Sequence, residues 1–389
     1  MMENKLYPTQ FFERISSLDG LRGFSLLGIF LINMMSYESP ILYYNPKEWW
    51  QGTDQSLYNW IELFVQASFY PIFAMLFGYG LVLIRNRTIE KGGEFKKIAV
   101  KRLFILLIIG IIHAFLIWSG DVLINYAIFG FILIFLLKLS GKSLMIIGLS
   151  LFVIPNLFFS LYLMIITLVS SQDMSMYTDI MNLTKSMDIY SSSNYWNITV
   201  QRFKDWMLVN GSSNIIFILF SVIPLMMIGA GAAKLKWLQS AQSERKKWLF
   251  ILIISLPLGL FLKSLPMFVD SNLAFKYIEQ SLGGTILSFA YVAIIALFMS
   301  YKWTGRLLKP FAAAGRMSLT IYITQSIVGT FIFYGYGLGL YSKLTLGTSM
   351  LLAIGIFIIQ VVLAEIWFMK FKYGPLEKIW RYFTYGKSV

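Results

Sequence analysis

The chain has 389 residues, of which 57% are apolar and 13% charged, with a mean hydropathy of +0.68; a soluble domain of this length needs far more polar side chain to cover its surface. It has no cysteine, which excludes disulfides, thiolate zinc sites and cysteine nucleophiles, and its single histidine leaves little scope for a metal cluster. The net charge of +14 is not a nucleic-acid footprint, because the basic residues crowd the ends of apolar segments, where they orient spans and meet anionic lipid.

Many apolar runs reach about 18 residues, the helix length that crosses roughly 30 Å of hydrocarbon. A transmembrane barrel would instead show alternating segments of about 10 residues. The expected fold is all-α, a polytopic transmembrane bundle forming one domain over 1–389, with no repeat or linker dividing it. Ten spans are placed at 21–38, 59–84, 99–118, 121–138, 143–169, 213–233, 247–264, 280–300, 315–336 and 347–369. The polar stretch before the first run has no small-residue cleavage site, so that run is read as a retained helix. Placing both termini in the cytoplasm puts 26 of the 33 Lys and Arg residues inside and 7 outside, the asymmetry of the positive-inside rule.

Pro71, Pro155, Pro224 and Pro257 fall within spans and are expected to kink them. The long outer connection 170–212 carries Tyr190, Tyr195, Trp196 and Trp206, and an interfacial helix lying on the membrane is favoured there over a folded lid. The Gly-rich stretch from Gly329 to Gly339 can pack helices within a monomer or between protomers, which leaves a homo-oligomer open.

Polar side chains inside spans cost a few kcal/mol and usually face a cavity or a partner. They fall into two clusters. The outer one centres on His113, about 12 residues or roughly 18 Å beyond Lys101 and Arg102 along the third span. Gly110 shares its face and admits a neighbouring helix or a thin ligand. Beyond the turn at Trp118–Asp121, Asn125 follows Asp121 by one helical turn, and Asn33, Glu62, Gln66, Gln325 and Ser326 reach comparable depths. Together these can line an outward-facing pocket, with Tyr126 as a further substrate contact. A lone intramembrane histidine is often a neutral imidazole satisfied by a backbone carbonyl; alternatively, Asp121 or Glu62 fixes its tautomer and His113 serves as a general base.

The inner cluster is Arg14, Asp19, Arg22, Arg102 and Arg316. Its plain reading is snorkelling to lipid phosphate. Its functional reading is a cytoplasmic anion site in which Arg forks grip phosphates, Asp19 holds a guanidinium, and Gly20 and Gly23 leave room for the ligand.

Several motifs resemble the YeiB-like proteins of bacterial inner membranes, a family of unknown function. They are Arg14 with Leu18-Asp19-Gly20-Leu21-Arg22-Gly23 and Asn33; Phe73 with Leu76-Phe77-Gly78-Tyr79-Gly80; and Arg102-Leu103, Gly110, His113, Trp118, Gly120-Asp121 and Tyr126-Ala127. Near the C-terminus come Gly315-Arg316-Met317-Ser318-Leu319-Thr320, Tyr322, Gln325-Ser326, Gly374-Pro375-Leu376-Glu377, Trp380-Arg381 and Thr384-Tyr385-Gly386. Ile321 stands where the family usually has Asn, and Lys378 where it has an aromatic residue. The resemblance implies a multi-pass protein of the bacterial inner membrane.

More distantly, the opening Leu-Asp-Gly-Leu-Arg-Gly is similar to the transmembrane acyltransferase superfamily, which moves an acyl group from cytoplasmic acyl-CoA to an acceptor across the membrane using a histidine. The mammalian member's histidine precedes the second span, where this chain has Trp49-Trp50-Gln51-Gly52-Thr53-Asp54; assigning its role to His113, supported by Asp121, therefore rests on chemistry. Under this reading no cofactor is bound permanently, acyl-CoA is the donor held by the inner arginines, and the acceptor or lipid lies outside. The competing reading is a transporter or lipid-handling protein whose outer cavity binds a solute and relays a proton.

Overall fold

A helix is the only open-chain solution that satisfies every backbone N–H and C=O in hydrocarbon without a partner strand. Accordingly the computed structural model, described over residues 16–169, 178–239, 243–268 and 272–386, is helical, with no strand among the described residues. Helix α1 (Ser16–Glu38) leads through short α2 (Pro46–Trp49) and α3 (Gly52–Phe64) to α4 (Tyr70–Glu90). Next, α5 (Phe95–Ile112) continues into a π-turn at His113–Ile117, followed by α6 (Leu123–Leu136) and α7 (Gly141–Val169). A cap of α8 (Ile180–Ser191) and α9 (Tyr195–Asn210) precedes α10 (Ile215–Lys234) and α11 (Arg245–Phe268). Then α12 (Leu273–Ile278) passes through a second π-turn, Glu279–Gly283, into α13 (Gly284–Met299). The chain ends with α14 (Lys302–Leu307), α15 (Lys309–Arg316), α16 (Ser318–Phe333), α17 (Leu346–Lys370) and α18 (Pro375–Tyr385).

Among the described residues, eight helical stretches are long and apolar enough to cross a membrane, which makes this a multi-pass membrane protein. Phe158, Ile253 and Leu351 point outward from three of them, as lipid-facing side chains do. At the fourth and ninth expected span positions stand two shorter apolar helices, α6 and α16. The 14 residues of α6 rise only about 21 Å, short of the roughly 30 Å of hydrocarbon. The turn before it carries Trp118 and Asp121, whose side chains are buried.

Four sequence expectations are corrected. The run 59–84 is not one helix: it breaks between α3 and α4, where Ala67 adopts a left-handed φ of 60°. Pro71 sits in the first turn of α4, where its missing N–H costs nothing, so it starts a helix instead of kinking one. Pro155, Pro224 and Pro257 do lie inside α7, α10 and α11. Likewise 315–336 divides at Met317 into α15 and α16.

The fourth correction concerns 170–212, of which 178–212 folds as a cap; residues 170–177 lie outside the described residues. Tyr190, Ile198, Gln201, Arg202 and Asp205 are buried against the bundle while Trp196 is exposed. Hydrogen bonding explains the preference, because an interfacial helix has only an apolar face to bury, whereas α9 presents Gln201, Arg202 and Asp205 to partners on other segments.

Helix α1 is central, packing on α4, α13, α15, α16 and α17. Its contact with α15 is backbone to backbone: a Cβ on Gly23 would lie 1.8 Å from the Phe311 carbonyl oxygen, and one on Gly315 1.9 Å from that of Asp19. Gly23 therefore makes room for a helix and not for a ligand. This approach sets Asp19 and Arg22 beside Arg316. Gly110 similarly faces the backbone of α6, 2.8 Å from the Ile124 nitrogen by the same measure.

Candidate functional site

His113 opens the π-turn that ends α5, and the extra residue in that turn is a common device for re-aiming a functional side chain. Its Nδ1 lies 2.8 Å from Asp121 Oδ1, with both side chains fully buried. The other carboxylate oxygen accepts the backbone N–H of Ile124 at 2.8 Å, so Asp121 also holds the first turn of α6 and cannot rotate freely. On the far side of the ring, Nε2 lies 2.8 Å from Ser326 Oγ on α16, which is 2.9 Å from the Tyr37 hydroxyl on α1. With Asp121 as a carboxylate, which only accepts, and the imidazole neutral, Nδ1 carries the proton and Nε2 accepts from Ser326. The result is a buried chain, Asp121–His113–Ser326–Tyr37. Tyr322 packs on the imidazole with centroids 4.9 Å apart and donates from its hydroxyl to Gly120 O at 3.2 Å. Trp118 packs on Tyr37 at 4.5 Å.

Two cavities flank this chain. One, of about 570 Å³, opens toward the end of the bundle where α1, α5 and α16 begin, and is lined by Asp19, Arg22, Arg102, Arg316, Trp380 and Arg381. Its volume is ordinary for a ligand site, roughly 300–1,000 Å³. Arg22 donates to Asp19 Oδ1 at 3.1 Å. Arg102 lies 3.5 Å over the Trp380 ring, and Trp380 Nε1 donates to the Arg102 carbonyl at 2.8 Å, so α18 fixes that guanidinium. Arg316 stacks on Phe368 at 3.7 Å. Glu377 accepts from the N–H groups of Leu319 and Thr320 at 2.8 and 3.1 Å, pinning α18 to the start of α16.

The second cavity, of about 430 Å³, lies under the cap and is lined by Asn33, Asp121, Asn125, Tyr190, Asp205 and Asn210. Asn125 donates to Asn210 at 2.7 Å. Val122 lines both cavities, Tyr126 and Tyr322 the basic one, and Asp121 the one under the cap. His113 lines neither and is sealed between them. The sequence expectation of His113 facing an outward cavity is corrected accordingly: its partner Asp121 faces that cavity.

The remaining expected residues divide. Arg14 lies outside the described residues. Asp19, Arg22, Arg102 and Arg316 come together. Tyr126 lies on the basic cavity and donates to the Tyr70 carbonyl at 3.2 Å. Gln325 turns away and donates to Gln360 at 3.1 Å. Glu62 and Gln66 line neither cavity, because the break at Ala67 carries them into a separate buried charge cluster. There Lys276 bonds Glu62 and, at 3.0 Å, Glu279, while Lys263 reaches Glu279 at 3.2 Å and the Gln66 carbonyl at 2.9 Å.

The cap is bolted to the π-turn. Arg202 Nη1 and the Tyr195 hydroxyl both donate to the Leu116 carbonyl, at 2.9 and 2.5 Å, and Asp205 accepts from the hydroxyls of Tyr43 and Tyr190 at 2.5 and 2.6 Å. Burial pushes the Asp205 carboxyl above its ordinary 3.8, against the lowering by these hydrogen bonds. An acid whose folded pKa is raised binds more protons folded than unfolded, so its contribution to stability falls as pH rises from 3.8 to the raised value. Asp205→Asn is expected to flatten the fall in thermal midpoint over that window. An unchanged slope in a pH series of melts would show that Asp205 does not titrate with unfolding.

The model of a family described as a protein of unknown function (DUF418) matches residues 232–387. Over nearly the full length, the chain is 33% identical to the uncharacterized protein YxaH of Bacillus subtilis, covering 98% of this chain and 97% of YxaH. It is 26% identical to the uncharacterized protein YeiB of Escherichia coli, covering 96% of each. An uncharacterized 39.9 kDa protein from the amylase 3′ region of Bacillus acidopullulyticus is also 26% identical, over 98% of this chain and 96% of its own. With both chains covered almost end to end, and with the family's matched segment holding Gly315, Arg316, Ser326, Glu377 and Trp380, the protein belongs to the YeiB-like DUF418 family of bacterial membrane proteins.

Proposed function

We propose that this protein is a transmembrane acyltransferase, moving an acyl group from cytoplasmic acyl-CoA to a hydroxyl or amine acceptor on the opposite side. One observation carries the reading: a cavity rimmed by Arg22, Arg102 and Arg316 and a neutral-to-acidic cavity under the cap abut at the His113–Asp121 pair. Phosphates need fixed cations, and acyl transfer needs a base where donor and acceptor meet. The arginines are held by Asp19, Trp380 and Phe368, a pre-organisation that snorkelling side chains do not require.

In this reading α6 and α16 complete ten spans in a bacterial cytoplasmic membrane, with both termini in the cytoplasm. The basic cavity then faces the compartment that holds acyl-CoA. The arginines bind the nucleotide phosphates, the pantetheine arm follows the apolar wall past Phe77 and Leu106, and His113 takes the proton of the attacking group. Transport is the weaker reading because the septum between the cavities is closed by side chains that satisfy one another. The test is equilibrium binding of acetyl-CoA and longer acyl-CoAs to the purified full chain in detergent. Saturable binding is expected; none at millimolar concentration, together with pH-dependent solute flux in vesicles, would replace this reading with transport.

A further inference from the structure

Ser326 has no part in a one-step transfer, yet it completes the geometry of an activated nucleophile. Its hydroxyl is 2.8 Å from His113 Nε2, His113 Nδ1 is 2.8 Å from Asp121, and all three side chains are buried. The base is fixed by a third group, as nucleophilic catalysis requires. The position matters as much as the spacing. The two cavities are separated at this point, so a direct transfer needs the thioester and the acceptor to reach the septum together from opposite sides. A relay residue inside the septum needs them only in turn. Tyr322, one helical turn before Ser326, lines the basic cavity and covers His113, while Tyr37 and Trp118 close the other side. A swing of Tyr322 away from the imidazole would bring Ser326 to the basic cavity.

We infer that Ser326 carries the acyl group between the two cavities as an O-acyl ester, an inference that rests on the acyltransferase reading. In the first half, Ser326 Oγ attacks the thioester carbonyl carbon as its proton passes to His113 Nε2. The C–S bond breaks, and His113 returns that proton to the sulfur, releasing free thiol. In the second half, the acceptor hydroxyl or amine gives its proton to His113 and attacks the ester carbonyl. The bond from the acyl carbon to Ser326 Oγ breaks, and that oxygen regains the proton. The Tyr37 hydroxyl, 2.9 Å from Oγ, steadies the oxygen in both halves.

The experiment incubates the full-length protein with acetyl-CoA radiolabelled in the acetyl group, without acceptor, followed by acid quench. Label on the denatured protein, released by hydroxylamine and mapped to the Ser326 peptide, is expected with stoichiometric release of CoA. Ser326→Ala should lose the label while binding acetyl-CoA within about twofold of wild type, because Ser326 is absent from the cavity wall. Ser326→Cys should carry it as a thioester that hydroxylamine cleaves already at neutral pH, which shows that a fold able to react persists at this position. Wild type that binds acetyl-CoA and releases CoA but never retains label overturns the relay and leaves the acyltransferase standing, as does label that survives in Ser326→Ala. Absence of acetyl-CoA binding by wild type overturns both.

Discussion

Under the acyltransferase reading, Asp121→Asn is expected to lower turnover by about 10³- to 10⁴-fold while leaving acyl-CoA affinity unchanged, and His113→Ala to do the same or slightly more. With a carboxylate 2.8 Å from Nδ1, the proton stays on Nδ1 and Nε2 is left basic toward Ser326. An amide can instead donate to Nδ1, which moves the proton to Nε2 and removes the base without altering the shape of the site. Because the two residues act as one unit, the double variant should be no slower than His113→Ala alone; multiplying effects would mean that Asp121 works independently of the imidazole. Neither residue belongs to the basic cavity's wall, so a large loss of acyl-CoA binding in either variant would point to a structural role. Asp121 also holds the first turn of α6 through Ile124, and Asn can accept that same N–H, which makes it the cleaner substitution of the two.

How much of this site was visible beforehand follows from the range of the contacts involved. The His113–Asp121 pair was legible because its members stand eight positions apart across a short Gly-containing turn, which keeps them close in space. The inner arginines were legible because charge at the end of an apolar run has few places to go. Ser326 was legible only as a residue at the depth of His113; it lies 213 residues away, and no spacing rule shows that it bonds the imidazole. The break at Ala67 was hidden for a related reason. The run 59–84 has no Gly or Pro before Pro71 to mark a break, and what interrupts the helix is tertiary: Lys263 takes the Gln66 carbonyl, and Gly284 of α13 comes against the Ala67 carbonyl. That break removed Glu62 from the site it had been expected to join. Trp380 and Arg381 stood in a recognised motif, but a role at the basic cavity required knowing that α18 folds back onto α5 and α16.

Arg22→Ala should weaken acyl-CoA binding by about 10- to 100-fold, the value of one charge-assisted contact to phosphate of about 1.5–3 kcal/mol, with turnover at saturation far less affected. Arg102→Ala and Arg316→Ala should act in the same direction. Arg22→Lys is informative because it keeps the charge and loses the fork; an intermediate affinity is expected where the guanidinium grips two oxygens. Asp19→Asn leaves every cation in place but releases the Arg22 guanidinium from the carboxylate 3.1 Å away, so a smaller loss, of severalfold, measures the value of holding Arg22 still. Raising salt should weaken wild-type binding, and less steeply in Arg22→Ala, since one phosphate partner is already gone. The snorkelling alternative makes the opposite forecast. Arginines that only anchor spans to lipid phosphate would leave acyl-CoA affinity and its salt dependence unchanged in all three alanine variants, and the loss would appear instead in membrane insertion or yield. Isothermal titration on detergent-purified protein of equal thermal midpoint separates the two, because a ligand contact moves the affinity and an anchor does not.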